Sequence, residues 1–147
     1  MKKFAFSLDR ALDWRRAQAR LEEAKLERLY AERSAIDAGQ HSLRVERQQA
    51  DTALRGRSHV TGQDLAALDA FQRHMAAESG RMAQARAGCE RQIAVQVQIL
   101  AVKRRDVKLL EKLKRQRLIS WSKDLEREVS QQAEESHLAK WNRENIQ

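Results

Sequence analysis

The chain has no proline, one cysteine, five glycines and only 5% aromatic residues in 147 positions. Without proline, no ring interrupts a helix, and few glycines leave little punctuation for turns. With 34% charged residues and a mean hydropathy of −0.77, a thick globular core is excluded as well. The lone Cys89 rules out an internal disulfide and is compatible with a reducing compartment. It sits among Ala85, Ala87 and Gly88 and reads as a small buried hydrophobe. No apolar run approaches the roughly 20 residues that a membrane-spanning helix requires. Met1-Lys2-Lys3-Phe4 opens like a signal peptide, but Asp9 and Arg10 arrive where an apolar region is needed. The expectation is a protein that is cytoplasmic, or acts from the cytoplasmic side of a membrane.

Catalytic patterns are missing too. There is no glycine-rich phosphate loop, no paired cysteine and no His-Glu-x-x-His. His41, His59, His74 and His137 are scattered without the matched spacing of metal ligands. The carboxylates lie on solvated helix faces, where nothing raises a pKa for acid–base work. No enzyme activity, cofactor or metal is expected.

What is present is Ala, Leu, Glu, Lys, Arg and Gln, the composition of long helices and coiled coils. Leu8, Leu12, Ala19, Leu26, Leu29, Ile36, Leu43, Ala50 and Leu54 recur on helical steps. Beside them runs a second row, Trp14, Ala17, Leu21, Ala24, Ala31, Ala35 and Ala38. One helix over residues 8–54, roughly 70 Å long at 1.5 Å per residue, is predicted. Arg55-Gly56-Arg57-Ser58-His59-Val60-Thr61-Gly62 breaks the pattern. Gly56 suits the left-handed position after a helix end, and Thr61-Gly62-Gln63-Asp64 offers an N-cap with an acid three residues on. A helix restarts with Leu65, Leu68, Phe71 and Met75, and Ser79-Gly80 breaks it, leaving a short middle helix within a tip over residues 55–80. From Met82 a second long helix, to residue 141, carries Cys89, Ile93, Leu100, Val107 and Leu110. Its seam then jumps to Leu118 and Trp121, a stutter that unwinds a supercoil locally. Residues 142–147 form a tail. The predicted fold is all-α: one elongated antiparallel two-helix coiled-coil hairpin with a short helix near the tip.

Charge is distributed unevenly. Within residues 103–117, Lys103, Arg104, Arg105, Lys108, Lys112, Lys114, Arg115 and Arg117 stand against only Asp106 and Glu111. That excess of +6 compares with +8 for the whole chain. Residues 118–147 reverse the sign, with six acids and four bases. With the short segment at the tip, Leu54 falls opposite Ala85. The basic run then faces residues 22–36, with Glu22, Glu23, Glu27 and Glu32 as register-setting partners.

Four kinds of function can be weighed for a basic helical rod. Nucleic-acid binding needs cations on one accessible face, and the pI is about 10.1. No zinc finger, helix-turn-helix or stacking aromatic set accompanies the run, so nucleic acid is not the expected partner. A membrane-surface helix lacks its bulky apolar face, and a purely structural coiled coil would act only by self-association. Protein binding is favoured by Trp14, Trp121, Trp141 and Phe71, which are large for helices otherwise built of Ala and Leu.

The opening Phe4-x-Phe6-x-Leu8-x-x-x-Leu12-x-x-Arg15 resembles the start of the flagellar export protein FliJ family. Leu110-Glu111-Lys112-Leu113-Lys114-Arg115, then Trp121 and the acids Glu134-Glu135, is similar to that family's C-terminal signature. The resemblance implies an antiparallel coiled coil like the central stalk of rotary ATP synthases. Such a protein inserts into the hexameric export ATPase, engages the cytoplasmic domain of the export gate protein and handles export chaperones, peripheral to the inner membrane and without inserting into it. On this resemblance Phe4, Phe6, Leu8, Arg15, Lys112, Lys114, Arg115, Arg117 and Trp121 would meet the ATPase ring. Leu43, Leu68, Phe71 and Met75 would face the gate. The equivalent stalk of virulence type III secretion is the nearest alternative.

Overall fold

The computed structural model describes residues 2–146. It is a helical hairpin, two long helices packed against each other, with no strand among the described residues. Helix α1 spans Asp9–Arg55 and α2 spans Gly62–Asn145. Each begins with an acid in its first turn, Asp9 or Asp64, and ends with an arginine in its last, Arg55 or Arg143. These charges complement the helix dipole.

The turn is short. Gly56 N–H donates to the Thr52 carbonyl at 3.0 Å and Arg57 N–H to that of Leu54 at 3.2 Å, so α1 tightens as it ends. No glycine among the described residues has a positive φ, which corrects the left-handed position expected for Gly56. The capping box is formed as read: Asp64 N–H donates to Thr61 Oγ1 at 3.2 Å, and Thr61 N–H donates to Asp64 Oδ2 at 3.1 Å. The Thr61 backbone N–H first, and then the Thr61 hydroxyl, hold the Asp64 carboxyl below its ordinary range.

The break expected at Ser79-Gly80 does not occur, and there is no separate short helix: α2 runs through both residues. A helical glycine costs only about 1 kcal/mol against alanine, and long helix on both sides outweighs that. This continuity moves the register. The chain reverses over residues 56–61, so Gly39 lies against Met82, whose Cε is 3.2 Å from a Cβ built at the glycine. The expected apposition of Leu54 with Ala85 is therefore wrong, and Asp106, Glu111, Lys114 and Arg117 of the basic run meet Arg15, Arg16, Asp9 and Ser7 rather than residues 22–36.

The chain divides into two units, residues 20–101 and residues 2–19 with 102–146. In the first, Met75, Cys89, Ile93, Gln96 and Leu100 are buried on heptad steps along α2. Leu26, Leu29, Ile36 and Leu43 of α1 are half-buried. Cys89 Sγ donates to the Leu29 carbonyl at 3.3 Å, and Gln96 Nε2 to the Glu22 carbonyl at 3.0 Å. Arg86 Nε donates to Asp37 Oδ1 at 2.6 Å. That bond is the main cause of a lowered Asp37 pKa and a raised Arg86 pKa. In the second unit, Leu12 has no exposed surface and Phe6 retains 5%.

Candidate protein-binding site

The basic run of α2 packs against the N-terminal arm and the first turns of α1. Polar contacts fix the alignment: Lys114 Nζ donates to Asp9 Oδ1 at 2.7 Å, and Arg117 Nη1 donates to Ser7 Oγ at 3.0 Å. The two acids of the run are taken by α1 arginines, Arg15 to Asp106 at 3.5 Å and Arg16 to Glu111 at 3.0 Å. Such half-exposed pairs are worth only about 0.2–1 kcal/mol each. Their consequence is electrostatic: the carboxylates that would have neutralised the run from within are already engaged.

The arm is anchored by its aromatic residues. Lys114 Nζ and Arg117 Cζ stand 5.9 and 5.7 Å from the centroid of the buried Phe6 ring, cation–π geometry within about 6 Å. Phe4 meets Trp121 with centroids 5.9 Å apart and planes tilted by 55°, a preferred arrangement of aromatic quadrupoles. Alternating Phe4 and Phe6 therefore point one side of the extended arm at α2, while Leu8 carries the chain into the helix.

Of the nine residues assigned to a ring contact, the structure gathers Phe4, Phe6, Lys114, Arg117 and Trp121 into one cluster. Arg15 is bound to Asp106, with its guanidinium 5.2 Å from the Trp14 ring centroid. Leu8 lies at the edge, 36% exposed. Lys112 and Arg115 are exposed. Among the described residues neither has an acidic partner, and the same holds for Lys103, Arg105 and Lys108. The result is a cationic surface backed by an aromatic anchor. Leu118, expected in the shifted seam, is 43% exposed; Trp121, beneath Phe4, is half-buried. Beyond it, residues 126–146 are exposed on every side of α2, including Val129, Leu138 and Trp141.

The residues assigned to the gate are not equivalent. Leu68 and Phe71 line a recess beside the turn with Ala50 and Leu54. Met75 is buried in the seam at 8% exposure, and Leu43 is half-buried on α1. Sequence reasoning missed Arg16 as the partner of Glu111, and missed that Arg15 and Arg16 act as a pair. The adjacent arginines were the available signal, but only the true register shows what they face. No helix among the described residues is long and apolar enough to cross a membrane. Comparison with protein-family models, with curated proteins and with solved structures finds no match.

Proposed function

We propose that the protein is a stalk and adaptor of a type III protein export apparatus, of the flagellar kind that its terminal motifs resemble. It inserts its N-terminal arm and basic run into the hexameric export ATPase and couples that ring to the export gate and to substrate chaperones. It works in the cytoplasm, at the inner membrane. ATP hydrolysis belongs to the partner.

The observation that carries this reading is the packing of Phe4 and Phe6 on Lys114, Arg117 and Trp121. Two stretches remote in sequence, each resembling a FliJ signature, form one surface whose Lys112 and Arg115 face outward. Association through such a surface needs acidic residues on the ring, and charge complementarity would set both orientation and on-rate. The recess beside Leu68 and Phe71 is the corresponding place for the gate.

The test is the ATPase rate of the cognate hexamer with and without the purified protein. Wild type raises it, and Lys112→Glu with Arg115→Glu requires about tenfold more protein for the same effect. Their exposed positions spare the fold, which circular dichroism checks. A wild-type protein that neither binds nor stimulates the hexamer removes the proposal.

A further inference from the structure

A second surface lies within residues 20–101. On α1, Leu21, Lys25 and Arg28 follow one another at steps of four and three. On α2, Gln92, Val95 and Ile99 do the same at steps of three and four. Lys25 and Arg28 of the first row and Gln92 and Val95 of the second line an open, largely apolar groove together with Leu29 and Arg91. The hairpin seam is already supplied by Cys89, Ile93, Gln96 and Leu100, so these rows do not contribute to it. Leu21 is 64% exposed, Val95 61% and Ile99 38%. A largely apolar groove beside a completed seam is a surface onto which a further helix packs, with anchors repeating every three or four residues.

Charge decides which helix. Lys25 binds Glu22 at 3.1 Å, but Arg28 and Arg91 have no acidic partner among the described residues. No carboxylate lines the groove. A second copy apposed through the same face would bring Lys25, Arg28 and Arg91 of both copies into one interface, with no carboxylate of the groove to offset them. A nucleic-acid strand would need stacking aromatics, and none lines it. The chain's own bare segment at residues 126–146 is acidic in part, but its Val129, Leu138 and Trp141 do not share a helix face.

We propose that this groove receives an amphipathic helix of a partner protein. Its apolar anchors would rest on Leu29 and Val95, and its flanking carboxylates would meet Arg28 and Arg91. The site does not depend on the export reading and would stand if that reading fell.

The experiment titrates the full chain into a fluorescent helical peptide, about three heptads long, with leucine anchors and glutamate flanks. A second peptide has every glutamate replaced by lysine. Anisotropy is expected to show saturable binding of the glutamate peptide and binding of the lysine peptide weaker by about tenfold or more. Arg28→Glu with Arg91→Glu, and separately Val95→Asp, each weaken the glutamate peptide by about tenfold. Lys108→Glu with Arg105→Glu leaves its affinity unchanged. A photo-crosslinking glutamate peptide, read by mass spectrometry on the wild-type chain, needs no variant and is expected to label residues 91–99. No binding, equal binding of both peptides, crosslinks confined to residues 103–117, or a dimer of the chain dissolved by the groove variants would each overturn the proposal.

Discussion

The two units are made by the same pair of helices, yet they bury their surface differently. In residues 20–101 an almost regular apolar seam is bordered by opposite charges that meet across it, Arg33 with Glu90 and Arg86 with Asp37. In residues 2–19 with 102–146 the seam thins. Leu12 and Phe6 are the buried hydrophobes, an N-terminal arm before α1 packs on α2, and arginines of α1 occupy the acids of α2. One region spends its charges on alignment, whereas the other keeps cations outward. Where side chains exceed what the seam needs, the surface is available to a partner.

The largest effects come from the seam itself. Leu12→Ala and Leu100→Ala should each destabilise by about 2–4 kcal/mol, read by urea denaturation. Trp141→Ala, at a position 58% exposed, should stay within about 0.5 kcal/mol. A Trp141 effect equal to that of Leu12 would show that the exposed end of α2 is packed in solution. Next, Phe6→Ala should cost about 2 kcal/mol. It should also speed amide exchange over residues 2–8, a local change that Leu100→Ala should not reproduce. Unchanged exchange in the arm would remove the distinction between the two packing modes.

Two glycines sharpen the same contrast at a smaller scale. A Cβ at Gly80 meets nothing within 4 Å, so Gly80→Ala should stabilise α2 by about 0.5–1 kcal/mol. At Gly39 a Cβ would sit 3.2 Å from Met82 Cε, and the gain should be reduced or lost unless that methyl shifts. The melting temperatures of the two variants decide it.

The weakest effect is the titration of Asp37. The Arg86 hydrogen bond lowers its folded pKa, so the pair stabilises above the unfolded value, about 3.9. That contribution disappears as pH falls through the lower folded value, while Arg86 stays charged. Asp37→Asn should therefore melt lower than wild type at neutral pH, with the difference closing in acid. A difference independent of pH would contradict the assignment.

Much of the fold was legible because it is local. The stripe of Leu26, Leu29, Ile36 and Leu43 and the Thr61–Asp64 box depend only on residues a few positions apart. The register was not legible, because one judgement about Gly80 carries through every pairing beyond it. An isolated glycine and a real break look alike in sequence when the deciding term is about 1 kcal/mol. The candidate site was legible as composition, since Phe4, Phe6, Lys114, Arg117 and Trp121 stand out by residue type and position alone. Which cations remain outward was not, because that depends on Arg15 and Arg16 reaching Asp106 and Glu111.

What the basic run lies against is the central question, and zero-length carbodiimide crosslinking of the unmodified chain at low concentration answers it. The 2.7 Å contact of Lys114 with Asp9 predicts an intramolecular amide between these two side chains, identified by mass spectrometry. Amides joining Lys108, Lys112 or Lys114 to Glu27 or Glu32 would contradict the account, because the cations would then be matched in a different register of the hairpin.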